Sequence, residues 1–371
     1  MKLSCLQENL SKGLSIVGRA VATRTTLPIT NNILLATDQG RLKLAATNLE
    51  IAISCWLGAK VEEEGAITTP ARLFTDFVNS LPNDRVDMTL SPHTHTLEVK
   101  CARFEGRING VEAEEFPPIP SIGEGVTTTI DPEALRMAIS QVFFAAATED
   151  TRPVLTGVHS EFDSDTLTLA AADGFRLAVH KAILTKPVAE RIEVIIPARA
   201  LSELQRLLSE QEDHVDITIN PNRSQVLFRL KDVEMVSQLI QGTFPNYHQL
   251  IPQSYATRAE MSLAEFTKAT RTASIFAREG SAIVRLQILP GKVVLSARAE
   301  EVGDNIGEVD AIVEGEEAKI AFNSKYLTDV LGVLHSERVA LETTSPSSPG
   351  VIRPVGVDNY VHVVMPMFVQ W

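Results

Sequence analysis

The stretch SPHTHTLEV sets His93 and His95 two positions apart, which puts both imidazoles on one side of an extended chain, as half of a metal site would require. No third ligand stands at a zinc-site spacing, so the pair reads as the polar tip of a hairpin and no metal is expected. Asp173 and Arg176 in ADGFRL place an acid beside a base, yet at that separation a structural ion pair is the ordinary outcome. Cys5, Cys55 and Cys101 are odd in number and far apart, so they read as buried, reduced thiols. The chain carries no GxSxG elbow, no phosphate-binding P-loop and no HExxH pair. Neither an enzyme nor a cofactor is expected.

What remains is attraction between charges and adhesion of apolar surface. Lys12, Arg19, Arg72, Arg136, Arg199, Arg206, Lys268, Arg271, Arg278 and Lys325 fall on the polar sides of predicted helices, in a chain whose net charge is −13. Any one of them is a solvated helix face. As a set they would form one positive surface that meets phosphates by charge without reading bases, with a salt-sensitive grip. The acids gather elsewhere, in VEEEG, VEAEEF, LSEQEDH and VEGEEA, which predicts opposite signs on opposite surfaces. Methionines beside proline in VVMPM make a polarisable, adaptable apolar surface suited to related peptides; ordinary core filling is the competing reading.

The elements that must position these groups recur. LAATNLEIAI from Leu44 is echoed by LAAADGFRLAV from Leu169, 125 residues on, and Pro28 by Pro153 at the same displacement. ITTPARLF and VIIPARAL share Pro-Ala-Arg, with Pro70 and Pro197 separated by 127, and Phe116-Pro117 answers Phe244-Pro245 at 128. A fainter third copy puts Leu295 126 beyond Leu169 and Asn323, a helix-capping residue, 126 beyond Pro197. A chain of 371 residues, 44% hydrophobic and 22% charged, has the apolar surface for several cores. Three domains are therefore expected, over residues 1–122, 123–252 and 253–371.

Each copy has the same plan. DPEALRMAISQVFFAAAT shows one apolar stripe, Leu135, Ala138, Ile139, Val142, Phe143 and Ala146, after a capping Asp131. Leu10, Leu14, Val17 and Val21 do the same in the first copy, and Phe266, Ala269, Ala273 and Phe276 in the third. Alternating strands follow, then a second helix marked by Leu73, Phe74, Phe77, Val78 and Leu81 or its equivalents, then RVDMTLSP, HVDITINP or RVALETTS. Every copy is thus an α+β sandwich, two helices packed on antiparallel sheet.

TLPI at Thr26–Ile29, the PAR helix starts, ADGFRLAV, GTFPNY and VVMPM, in this order over essentially the whole chain, resemble the bacterial DNA polymerase III beta subunit family, the sliding clamps. The resemblance implies three tandem clamp domains per chain and a ring-forming head-to-tail homodimer around double-stranded DNA. It implies a non-catalytic processivity factor that tethers the replicative polymerase alpha subunit, the clamp loader and other proteins by short peptides.

Carried over by position, the resemblance implies a peptide pocket of Leu155 on the RPVLTG strand, Gly174, Phe175, Arg176, Leu177, Pro245, Leu250, Ser348, Val363, Met365, Pro366 and Met367. Ala172, Phe175 and Gln249 stand where relatives often have threonine, histidine and arginine, which makes this pocket more apolar. Phe368–Trp371 extends past VVMPM, and an aromatic tail there either folds into the cleft, occupying it in part, or packs nearby. DNA contacts are implied for Lys12, Arg24, Arg72, Arg152, Arg199 and Lys268, with Glu149 an acid where an amide would suit DNA better. Arg103 and Phe104 are expected to meet Ile275 and Phe276, after the third copy's first helix, across the dimer seam.

The rival reading is a triplicated peptide-binding scaffold that never encircles DNA; a basic helix face separates the two. The polar break in MKLSCLQENL and the lack of a run of about 20 apolar residues predict a cytoplasmic protein with no membrane association.

Overall fold

The computed structural model describes residues 1–149, 151–278 and 281–371. One order of elements occurs three times, with one extra short strand, Lys60–Glu63, in the first. The first pass comprises β1 (Lys2–Leu6), α1 (Gln7–Val17), β2 (Asn32–Asp38), β3 (Arg41–Thr47), β4 (Ile51–Gly58), β5 (Lys60–Glu63), β6 (Ala66–Pro70), α2 (Ala71–Ser80), β7 (Arg85–Ser91), β8 (Thr96–Cys101) and β9 (Phe104–Asn109). The second comprises β10 (Val126–Ile130), α3 (Pro132–Val142), β11 (Gly157–Asp163), β12 (Thr166–Ala172), β13 (Arg176–Lys186), β14 (Ile192–Pro197), α4 (Ala198–Leu207), β15 (Val215–Ile219), β16 (Gln225–Arg229) and β17 (Val233–Gln238). The third comprises β18 (Thr257–Ser262), α5 (Leu263–Arg278), β19 (Ile283–Leu289), β20 (Lys292–Ala299), β21 (Gly303–Gly315), β22 (Ala318–Asn323), α6 (Ser324–Leu331), β23 (Arg338–Thr343), β24 (Gly350–Pro354) and β25 (Tyr360–Val364).

The chain forms two compact units, Met1–Pro132 with Arg206–Leu239, and Glu133–Gln205 with Ile240–Trp371. In the first unit, β5-β1-β7-β8-β9 make one antiparallel sheet and β6-β2-β3-β4-β17-β16-β15-β10 a second. In the second unit, β14-β11-β12-β13-β25-β24-β23-β18-β21 run in ladder order. β21 is long enough to pair again, through Gly303–Asp310, with β20, which continues to β19 and β22. In both units the last strand of one repeat adds to the sheet of the repeat before it: β17 to β4, and β25 to β13.

Helix periodicity explains the packing. Leu10, Leu14 and Val17 of α1 have no exposure and face β3 and β4. Each such side chain contributes about 1.5–3 kcal/mol on burial. Gly13 lies on the same stripe, where a Cβ would come within 2.8 Å of a Leu57 methyl, so a larger residue there would have to displace the leucine side chains packed against the helix. In α5, Phe266 and Ala273 are buried against β20 and β21. At the start of α6, Asn323 caps as its side chain predicts, its Oδ1 accepting the Lys325 amide at 2.9 Å.

Several expectations need correction. Leu73 is exposed, because α2 turns only Phe74 and Val78 fully inward. Val21 lies beyond α1, after a short 3-10 turn, and is half-buried. Ile275 and Phe276 are inside α5, not after it, since no glycine or proline interrupts Leu263–Arg278. Of the acid-rich stretches, VEEEG lies partly in a strand, Glu62 and Glu63 belonging to β5. The cysteines agree with their reading, all three buried and free.

Candidate peptide-binding groove

The turn between β12 and β13 builds the site. Asp173 Oδ1 accepts the amides of Phe175 at 2.8 Å and Arg176 at 3.0 Å, closing a side-chain turn that needs Gly174 at φ +95. Phe175 is thereby left 60% exposed while Arg176 swings inward. The Arg176 guanidinium donates to Asp173 Oδ2 at 3.0 Å, Asp329 Oδ2 at 2.7 Å and the Phe144 carbonyl at 2.7 Å. It also lies over the rings of Phe144 and Tyr326. Asp173 and Arg176 are therefore a structural pair, extended by a third charge from α6.

Phe175 and Arg176 line two hollows. One, of about 390 Å³, is lined by Ala172, Gly174, Phe175, Arg176, Leu177, Gln249, Leu250, Pro252, Pro349, Val363 and Met365. The other, of about 330 Å³, is of mixed polarity and takes in Glu149, Arg152, Asp173, Lys325 and Tyr326. Beneath the apolar hollow, Leu177, Tyr247, Val351 and Val363 form one core cluster, against which Phe244 packs. Burial raises the Tyr247 hydroxyl to about 12. The GTFPNY motif thus supplies the floor.

Seven of the pocket residues implied by the resemblance share the apolar hollow: Gly174, Phe175, Arg176, Leu177, Leu250, Val363 and Met365. Five lie outside its lining. Leu155 is buried, and RPVLTG is a 3-10 turn over Pro153–Thr156 instead of a strand, because its proline lacks the N–H a ladder needs. Pro245 is exposed, and Ser348 pairs with Ser345 at 2.7 Å. Pro366 and Met367 lead away from the hollow, the Met367 amide donating to Ala321 O at 2.7 Å. Pro252 and Pro349, which sequence reasoning missed, are lining residues; their only sequence signal is a proline within a few positions of Leu250 and Ser348. Phe368–Trp371 does not enter the hollow either: Trp371 lies over the Lys319 ammonium at 5.7 Å.

All six cations assigned to DNA are exposed: Lys12, Arg24, Arg72, Arg152, Arg199 and Lys268. Lys12 pairs with Glu210, and Arg72 with Asp76 at 3.8 Å, while Arg152 donates to the Asp173 carbonyl at 3.1 Å. Lys268 shares a hollow on α5 and α6 with Arg271 and Ile275. Of the seam residues, Arg103, Phe104 and Ile275 are exposed and Phe276 half-buried. His95 bends away from the strand at φ +49 and approaches Glu112 at 3.4 Å. Among the described residues no three His, Cys, Asp or Glu gather as metal ligands, and no helix is long and apolar enough to cross a membrane.

Residues 1–120, 129–246 and 248–368 match the N-terminal, central and C-terminal domains of the DNA polymerase III beta subunit. The chain is 34% identical to a beta sliding clamp from Synechocystis and 32% identical to one from Bacillus subtilis, each over 99% of both chains. The crystal structure of the Bacillus subtilis DNA polymerase sliding clamp superposes with a TM-score of 0.95 at 31% identity, covering all of both chains. A Pseudomonas aeruginosa sliding clamp solved with griselimycin bound gives a TM-score of 0.92 at 30% identity, again over both full lengths. With all three repeats matched and the full chain superposing, the chain belongs to the bacterial DNA polymerase III beta subunit family, the non-catalytic DNA sliding clamps.

Proposed function

We propose that two copies join head to tail into a ring around duplex DNA in the cytoplasm, and that the apolar hollow docks short peptide segments of the replicative polymerase alpha subunit, the clamp loader and other clamp-binding proteins. The observation that carries the ring is one strand pairing that recurs. Leu44, Leu169 and Leu295 face Cys55, His180 and Gly307 across their hairpins. On its other side Cys55 pairs with Val233, the first residue of β17, and His180 with Tyr360, the first residue of β25. The same rule gives Gly307 a partner at the first residue of β9, Phe104, in a second copy. Antiparallel continuation then sets Glu105 against Ile306, Gly106 against Asn305 and Arg107 against Asp304, an attractive pair.

Exposure agrees with this register: Ile306 is 73% and Ile275 62% exposed, apolar surface that a partner would cover. Open strand edges invite pairing, and mutual capping removes them. Arg103 adjoins Phe104 at this edge, and Phe276 adjoins Ile275, consistent with the seam roles given to all four.

Sedimentation should give the mass of two 40.5 kDa chains. Asp304→Arg, which opposes Arg107, should weaken the dimer about 2- to 30-fold, since a cross-strand pair contributes about 0.2–1 kcal/mol at each of two seams. Adding Arg107→Asp should restore it. A chain monomeric at micromolar concentration, or a swap without rescue, rejects the ring and leaves a peptide scaffold. Retention on circular but not linear duplex tests encirclement, and a separate weakening of duplex contact as salt rises from about 50 to 200 mM tests the cation-bearing helices, Arg24 and Arg152. Griselimycin should bind this chain, and Leu177→Glu should abolish that binding.

A further inference from the structure

In every repeat, the chain that leaves the last strand returns to the uncovered edge of that repeat's own four-stranded ladder. Val111 exchanges two backbone bonds with Thr68 of β6, both at 3.0 Å. The Ile240 amide donates to Ile195 of β14 at 2.9 Å, and the Met367 amide to Ala321 of β22 at 2.7 Å. Thr68, Ile195 and Ala321 are equivalent, 127 and 126 apart, as are Val111, Ile240 and Met367, 129 and 127 apart. Four or five residues further on stands an aromatic ring each time: Phe116, Phe244 and Trp371.

The rings differ in how far they are covered, Trp371 being 46% exposed. Phe116 is buried. Phe244 stacks on His159 of β11 at 5.3 Å and packs on the core beneath the groove. Trp371 lies over Lys319, which stands 126 beyond Glu193, the β14 carboxylate 3.9 Å from that same His159. Phe368–Trp371 is therefore the third copy of the segment that elsewhere begins an interdomain linker.

We propose that Trp371 is a positioning residue for the peptide groove, anchoring a strap from Met365 to Trp371 that fixes the Met365 side of the apolar hollow. The strap is held at three points: the Met365 amide donates to Phe175 O at 2.8 Å, the Met367 amide to Ala321 O, and the Trp371 ring covers Lys319. Met365 lines the hollow, so its freedom to move is set by the bonds on either side of it. The inference rests on the groove reading above for its functional half. Its structural half stands on the strap alone.

Amide hydrogen exchange on the intact assembly, with griselimycin titrations on the same samples, tests both halves. Trp371→Ala should speed exchange at Met365 and Met367 and weaken griselimycin binding, each about 2- to 10-fold, the scale set by losing one cation–ring contact and its packing. Trp371→Phe, which restores the ring type found at 116 and 244, should recover most of both. Unchanged exchange in Trp371→Ala overturns the strap. Faster exchange with undiminished griselimycin affinity overturns the positioning role. Faster exchange in a chain that never binds griselimycin upholds the strap and rejects the groove reading.

Discussion

Replacing Arg176 by Met should destabilise the second unit more than any single surface change. The side chain is 7% exposed and its guanidinium makes three hydrogen bonds, to two carboxylates and one carbonyl. Removing one partner of a buried ion pair costs about 3–5 kcal/mol, because the remaining charge stays in a poorly solvated place. The neighbours pull the figure to the low end: Asp173 keeps the Phe175 amide, and Asp329 keeps Lys325 at 2.7 Å. About 3 kcal/mol is therefore expected. In a unit of about 200 residues each kcal/mol moves Tm by about 2–4 °C, so the transition should fall by about 6–12 °C.

Arg176→Lys sharpens the test. An ammonium keeps the charge but cannot reach both carboxylates and the Phe144 carbonyl with a planar fork, nor stack between Phe144 and Tyr326 in the same way. Its loss should lie between wild type and Met. Differential scanning calorimetry of the three proteins at pH 7 decides. A drop below about 3 °C for Met, or a Lys variant as unstable as Met, would refute the view that Arg176 ties the turn to α6 through directed charge-assisted bonds.

Three further outcomes follow from groups near this site and from the thiols. His180 and His362 are kept neutral by burial, lowered from 6.5 to about 4 and about 3; both pKa values are depressed on folding, so their stabilisation is full above pH 6.5 and is lost as pH falls toward 4. The unfolded chain gains protons that the folded one refuses, which costs about 2 kcal/mol per histidine at pH 5, and equal urea midpoints at pH 7 and pH 5 would contradict it. Gly174→Ala forces an L side chain to φ +95 and sets its Cβ 3.1 Å from the Arg152 guanidinium, so a loss of about 1–2 kcal/mol should appear in thermal melting. Burial raises the Cys5 and Cys55 thiols to about 12 and about 11, and mass spectrometry after iodoacetamide at pH 8 should find both unmodified in the folded protein.

The triplication was legible because its markers do local work in each copy. Leu44, Leu169 and Leu295 occupy one hairpin register, and Pro70, Pro197 and Asn323 all precede a helix. The helix stripes were legible for the same reason, since 3.6-residue spacing reports burial directly, as Leu10, Leu14 and Val17 show. Leu73 and the RPVLTG segment were misread where hydrophobicity alone was used. A leucine on a helix is drawn inward only if its angle permits, and a proline followed by apolar residues satisfies a 3-10 turn as readily as a strand. Pro252 and Pro349 join the hollow through long-range folding, which their nearness in sequence to Leu250 and Ser348 only hints at.

The segment after VVMPM shows where identity matching stops and physics continues. Phe116-Pro117 and Phe244-Pro245 share their letters, whereas the ring at the third position is a tryptophan, Trp371. What the three positions share is a geometric demand: one residue bonds to an open strand edge, and a ring follows four or five residues later. Any large flat side chain meets that demand. In the first two repeats the chain must also turn toward the next domain, which proline helps; that requirement is separate from the ring's, so a match keyed to Phe-Pro captures the turn and overlooks the anchor. A change that keeps the ring should therefore preserve the strap, whereas one that keeps only length and charge should not, which is why Trp371→Phe and Trp371→Ala are expected to diverge.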